Sequence, residues 1–127
     1  MDIKKLVMKE EVPAISTPEE LADKIAQFLD EKKAKDIKIV ELKGKTIVAD
    51  YFVICSASST TQVRALVDYV DEKLSKDYKL EPRGRDIDTK WAAVDYNSVI
   101  LHVFHYETRQ FYNLERLWDE GDNIKSL

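Results

Sequence analysis

The chain has 127 residues, enough for one domain with a real core and too few for two ordinary ones. At 44% hydrophobic and 35% charged it is balanced like a soluble globular protein, and its three glycines argue against a glycine-rich phosphate loop. The net charge of −4 is unevenly placed: residues 1–85 carry 16 acidic and 16 basic side chains, residues 86–127 carry 8 and 4, which argues against a nucleic-acid footprint and suits a basic protein partner or plain solubility.

Cys55 is the only cysteine, so an internal disulfide framework is excluded, and with two histidines a thiolate zinc cluster is nearly so. A reducing, cytoplasmic setting is expected. No apolar run approaches the roughly 20 residues of a membrane helix. The opening MDIKKLVMKEEVPAIS mixes acids and bases without a hydrophobic signal core, and the first arginine is Arg64, unlike an arginine-rich transit peptide. No cofactor is expected.

Residues 1–16 show no clean period and are expected to form an arm outside the domain. Thr17-Pro18-Glu19-Glu20 reads as a helix start, with Thr17 as N-cap, Pro18 at the first helical position and Glu20 completing a capping box. Leu21, Ile25, Phe28 and Leu29 then form an apolar stripe to Ala34. Residues 37–43 predict a strand broken by Gly44-Lys45, and Asp50 to Cys55 a second, more buried strand. Ser59 and Gln62 make another capping-box pair before a helix carrying Val63, Leu66, Val67, Val70 and Leu74 and ending near Lys76.

Between Lys79 and Trp91 the pattern weakens to a strand end and a loop. Trp91 to Val94 predicts a strand, Asp95-Tyr96-Asn97-Ser98 a turn, and Val99 to Phe104 a strand apolar at nearly every position, hence covered on both faces and central. A last helix is expected from about Thr108, burying Phe111, Leu114 and Trp118 on one face and leaving Arg109, Tyr112, Asn113 and Arg116 on the other. This order predicts one α/β domain over residues 17–120 with a mixed central sheet flanked by helices, and residues 121–127 as a tail.

Several constellations admit a chemical reading beside a plain one. The Ser56 to Thr61 junction could hold an anion, but without a glycine its hydroxyls read better as caps. Asp86-x-Asp88 could hold a divalent metal, though acids in a polar loop are commoner. Cys55 with His102 could be a nucleophile and its base, but nothing obvious orients the pair. His102 and His105, three apart on a strand, point to opposite faces and cannot chelate one metal. His102 reads as a hydrogen-bonded core histidine with a partner-facing role open. Trp91, Tyr96, Tyr112 and Trp118 are amphipathic rings of the kind enriched at interfaces.

The run Asp50 to Ile54, the serine-rich link, Trp91 with Asp95-Tyr96, His102-Val103-Phe104, then Arg109, Tyr112 and Leu114-Glu115-x-Leu117-Trp118 resembles the Iojap family of ribosomal silencing factors over about residues 19–119. The resemblance implies a fold similar to that of nucleotidyltransferases without their activity. It implies binding to ribosomal protein fourteen of the large subunit, a block on joining of the small subunit, and silencing of translation when nutrients are short. Matching motif positions point to Trp91, Asp95, Tyr96, His102, Arg109 and Tyr112 as partner-binding residues, and self-association fits the family. Two departures stand out: Asn97-Ser98 replaces the Gly-Asp of many relatives, and the spacing from Gly84 to Trp91 is one residue longer than usual. The alternative is a nucleotide-binding enzyme of nucleotidyltransferase type. From the hairpin, Trp91 and Tyr96 at the two ends of one strand are expected to flank a single contact patch.

Overall fold

The structure, a computed structural model, describes residues 15–127. The arm expected for residues 1–16 therefore lies almost wholly outside the described residues. Its last two residues join the domain: Ile15 packs against the core, and the Ser16 amide donates to Glu20 Oε2 at 3.0 Å. Helix α1 spans Pro18–Glu31, with the Glu20 amide donating to Thr17 Oγ1 at 3.1 Å as the capping box requires. Strand β1 covers Lys35–Glu41 and β2 Tyr51–Ala57. Helix α2, Thr60–Tyr78, starts on Ser59, whose Oγ accepts from the Gln62 amide at 3.1 Å while Gln62 Oε1 accepts from Ser58. Within the serine-rich junction, the Ser58 and Ser59 hydroxyls are thus spent on the cap.

Three strands follow: β3 at Gly84–Ile87, β4 at Trp91–Asp95 and β5 at Val99–His105. The chain then forms two short helices, α3 at Tyr106–Tyr112 and α4 at Leu114–Leu117, and a last strand, β6, at Ile124–Ser126. One six-stranded mixed sheet results, in the order β3-β4-β5-β2-β1-β6. The β2–β5 pair is parallel, in register Tyr51 to Val99 through Ala57 to His105, and the other pairs are antiparallel. The run Val99–Phe104 therefore lies inside the sheet between β2 and β4, as its near-continuous apolar character predicts. At the β4–β5 turn Asn97 takes a positive φ of 77°, a conformation in which asparagine is among the few tolerated alternatives to glycine.

Strand alternation sorts the core into two faces. Val53, Cys55, Ala92, Val94, Val99, Leu101 and Val103 meet α1 and α2 on one side. Val40, Phe52, Ile54 and Phe104 form a smaller cluster on the other, against Trp91, Leu114, Trp118 and Ile124. Long helices thus cover one face, and only α3, α4 and the final segment cover the other.

Residues 121–127 are not a tail, because β6 pairs with β1 (Lys38 to Ser126, Val40 to Ile124). Asn123 ties the entry to β6: its Nδ2 donates to Glu41 O at 3.1 Å and Trp118 O at 2.7 Å, and its Oδ1 accepts from the Glu120 amide at 2.8 Å. Asn123→Ala would strand these buried groups, and a loss of about 1 to 2 kcal/mol is expected in urea denaturation. An unchanged midpoint would mean that β6 adds no stability.

The last helix also departs from its periodic reading. It begins at Tyr106 and breaks at Asn113, where φ is +46°. The break resets the helical register, so Phe111 does not share a buried face with Leu114 and Trp118. It is 83% exposed.

Candidate docking groove

Trp91 opens β4 and, by strand parity, points to the thinly covered face of the sheet. Its indole stacks on Phe104, centroids 4.7 Å apart, and its Nε1–H donates to His102 Nδ1 at 3.1 Å. Phe104 lies across from Trp91 in the β4–β5 register and His102 two residues earlier on β5, so both contacts follow from the pairing. Tyr112 leans in from α3 with its ring 5.0 Å from the indole, and Phe111 stands beside Tyr112 at 5.2 Å. Trp91, Phe111 and Tyr112, with Ala93, wall a groove of about 590 Å³, rimmed by Asp86, Asp88, Lys90, Glu107 and Thr108.

Three carboxylates face one ammonium on that rim. The aromatic wall offers area for burial, and the rim carries a negative field of the sign that suits a basic group. Asp88 Oδ1 accepts from the Lys90 amide at 2.9 Å, which shapes the loop at the groove's edge. Among the described residues no group of histidine, cysteine and carboxylate side chains is placed to hold a metal ion.

His102 is the buried support of this wall. Because Nδ1 accepts from the indole, the neutral ring carries its proton on Nε2, and that atom is buried without a hydrogen-bond partner. Phe52 packs against the ring at 4.7 Å. Burial pushes the imidazole pKa down from 6.5 to about 4, since a charge there would be cut off from water. The core role read from the sequence is the one seen. Cys55 cannot use His102 as a base, because it points to the opposite face of the sheet; burial also pushes its thiol up to about 12.

Of the six residues singled out from the sequence, Trp91 and Tyr112 line the groove, and His102 lies buried behind the Trp91 indole rather than at the surface. Tyr96 is the correction. Trp91 and Tyr96 are five apart, so they face opposite sides of the sheet. The Tyr96 ring, 4% exposed, packs under the long helices, with its hydroxyl donating to Asp71. Burial and Asp71 together raise the phenol pKa. A ring so placed cannot flank a patch with Trp91. Asp95 lies at the same end as Tyr96, where it pairs with Arg83 at 3.0 Å and accepts from the Asn97 amide at 2.7 Å, so it shapes the turn. Arg109, expected on an outward face, is buried beneath α3.

Phe111 and Glu107 were not legible as site residues, and Asp86 was read only as half of a possible metal pair with Asp88. For Asp86 the one available signal was parity, since its register partner on β4 is Ala93, on the Trp91 side. His105 sits at the end of β5 against Tyr106, 4.6 Å away and outside the groove.

The open aromatic groove with its acidic rim is thus built on a single mixed-sheet α/β domain. A family profile described as "Ribosomal silencing factor during starvation" matches residues 15–126, and the chain belongs to that family. It is 41% identical over 100 residues to ribosomal silencing factor RsfS of Bacillus subtilis, covering 76% of this chain and 82% of that protein. A mouse protein named mitochondrial assembly of ribosomal large subunit protein 1 is 34% identical over 101 residues, 76% of this chain and 44% of its own length. A crystal structure of a Chromobacterium violaceum protein superposes with a TM-score of 0.76 at 26% identity, covering 81% of this chain and 87% of that one. Membership assigns the chain a ribosome-associated silencing role. Among the described residues no helix is long and apolar enough to cross a membrane.

Proposed function

We propose that this protein binds the large ribosomal subunit through ribosomal protein fourteen and blocks association with the small subunit by occupying the joining surface, as a cytoplasmic regulator rather than an enzyme. The observation that carries the reading is the groove itself: Trp91, Phe111 and Tyr112 on one open surface with Asp86, Asp88 and Glu107 around them. Exposed rings gathered in this way gain little in isolation and bury well against a partner. The acidic rim fits a basic ribosomal protein, and the mouse relative, named for assembly of the ribosomal large subunit, supports the choice of subunit.

Blocking is steric and requires no chemical step. The protein is expected to co-sediment with isolated large subunits and not with small ones, and to lower the yield of joined particles in proportion to occupancy. Sedimentation with small subunits, or with neither, would reject this assignment. Tight magnesium-dependent nucleotide binding lost in the double variant Asp86→Asn, Asp88→Asn would instead favour the nucleotidyltransferase alternative.

A further inference from the structure

Helix α3 presents Phe111 and Tyr112 and α4 follows it directly, yet by themselves the two helices have little reason to exist. They span seven and four residues, far below the roughly 12 to 15 at which an isolated helix becomes even marginal in water. His105, at the N-terminus of α3, makes no side-chain cap, and Asn113 interrupts the backbone between the two helices. In α3 the single buried residue is Arg109, and α4 has none, its Leu114 being only half-buried.

Arg109 is 6% exposed, and its guanidinium reaches three other elements at once. Nη1 donates to the Asp36 carbonyl at the start of β1 and to Ser56 Oγ near the end of β2, at 2.9 Å for the hydroxyl. Nε and Nη2 both reach Glu115 Oε1 in α4, at 3.1 and 3.0 Å. Asp36 has a φ of +48°, and the β1–β2 register shifts between Lys35 and Lys38, so β1 is irregular where it offers that carbonyl. Glu115 Oε2 is buried without a partner. A desolvated ion pair with an unsatisfied oxygen is a poor source of net stability. What it does supply is a fixed position.

The geometry points to Arg109 as the positioning residue of the docking groove, a pin that clamps α3 and α4 to the ends of β1 and β2 and thereby sets where Phe111 and Tyr112 stand. This rests on the groove being the docking surface. Arg109 touches no partner; it acts through the helix that carries the two rings.

The test has two readouts on the purified full chain. Amide hydrogen exchange of residues 106–117 should speed up at least about tenfold in Arg109→Met and less in Arg109→Lys, which keeps the charge but loses the fork, while α1, α2 and β5 keep their protection. Co-sedimentation with large subunits should weaken about fivefold or more in the same order. Should Arg109→Met fail to fold, Ser56→Ala removes one tether and Glu115→Gln takes the charge from another, and each should show a smaller loss of protection confined to 106–117. Unchanged exchange there in Arg109→Lys, Ser56→Ala and Glu115→Gln overturns the pin. Phe111→Ala separates the two claims: if it weakens binding and the pin variants do not, the pin alone fails, and if it too binds like wild type, the groove is not the docking surface.

Discussion

Trp91→Ala is expected to leave a folded domain that binds isolated large subunits at least about tenfold more weakly, since a tryptophan anchor typically contributes roughly 2 kcal/mol or more and about 1.4 kcal/mol is one decade. The indole is half-buried, stacked on Phe104 and hydrogen-bonded to His102, so some loss of thermal stability accompanies the loss of binding. Phe111→Ala provides the comparison without that complication, because a ring 83% exposed contributes little to the core. Sedimentation titrations of both variants, read beside their melting curves, distinguish docking from packing. A Trp91→Ala protein that melts cooperatively and still blocks subunit joining at wild-type concentrations would place the contact elsewhere.

Stability should fall between pH 6.5 and about 4 through His102 alone. The unfolded chain takes up a proton on this imidazole near 6.5 and the folded protein only near 4, so the unfolded state binds more protons within that window. Stability is therefore full above the window and declines as pH falls through it, by about 3 kcal/mol at the usual conversion of 1.36 kcal/mol per unit. Protonation at Nδ1 in the folded protein would also remove the acceptor for the Trp91 N–H, so near-ultraviolet dichroism of the indole should change only as pH falls through about 4. His102→Asn, whose Oδ1 can still accept, should lower this acid sensitivity while keeping the indole signal. Equal pH dependence of wild type and His102→Asn in urea titrations would show that His102 does not govern it.

What could be read from the sequence was what neighbouring residues decide among themselves. Thr17 with Glu20 and Ser59 with Gln62 are local capping pairs, and both caps formed. The apolar run Val99 to Phe104 needs two covered faces wherever it is placed, which makes it an inner strand. Long-range partners carry no such local mark. Arg109 on a short helix looks like a solvated charge until Asp36, Ser56 and Glu115 are brought to it. Tyr96 looks like a turn residue until Asp71, 25 positions away, receives its hydroxyl. The strands β3 and β6 are short and largely polar, and they become strands only because an inner strand offers them an edge. Phe111 misled because helical periodicity assumes an unbroken helix, and Asn113 breaks it.

The unequal covering of the sheet has a consequence for how this protein tolerates change. Most of the fully buried side chains lie beneath α1 and α2, whereas the groove occupies the far side of a single layer of strands. Effects of substitutions separated by more than about 7 to 10 Å and sharing no partner are close to additive. Trp91 and His102 aside, folding and the proposed recognition thus draw on largely separate residues, and drift in the outward positions of α1 and α2 can raise or lower robustness without altering the groove on the opposite side. The groove is free to be retuned to a different partner so long as the helical side retains enough stability to carry the cost.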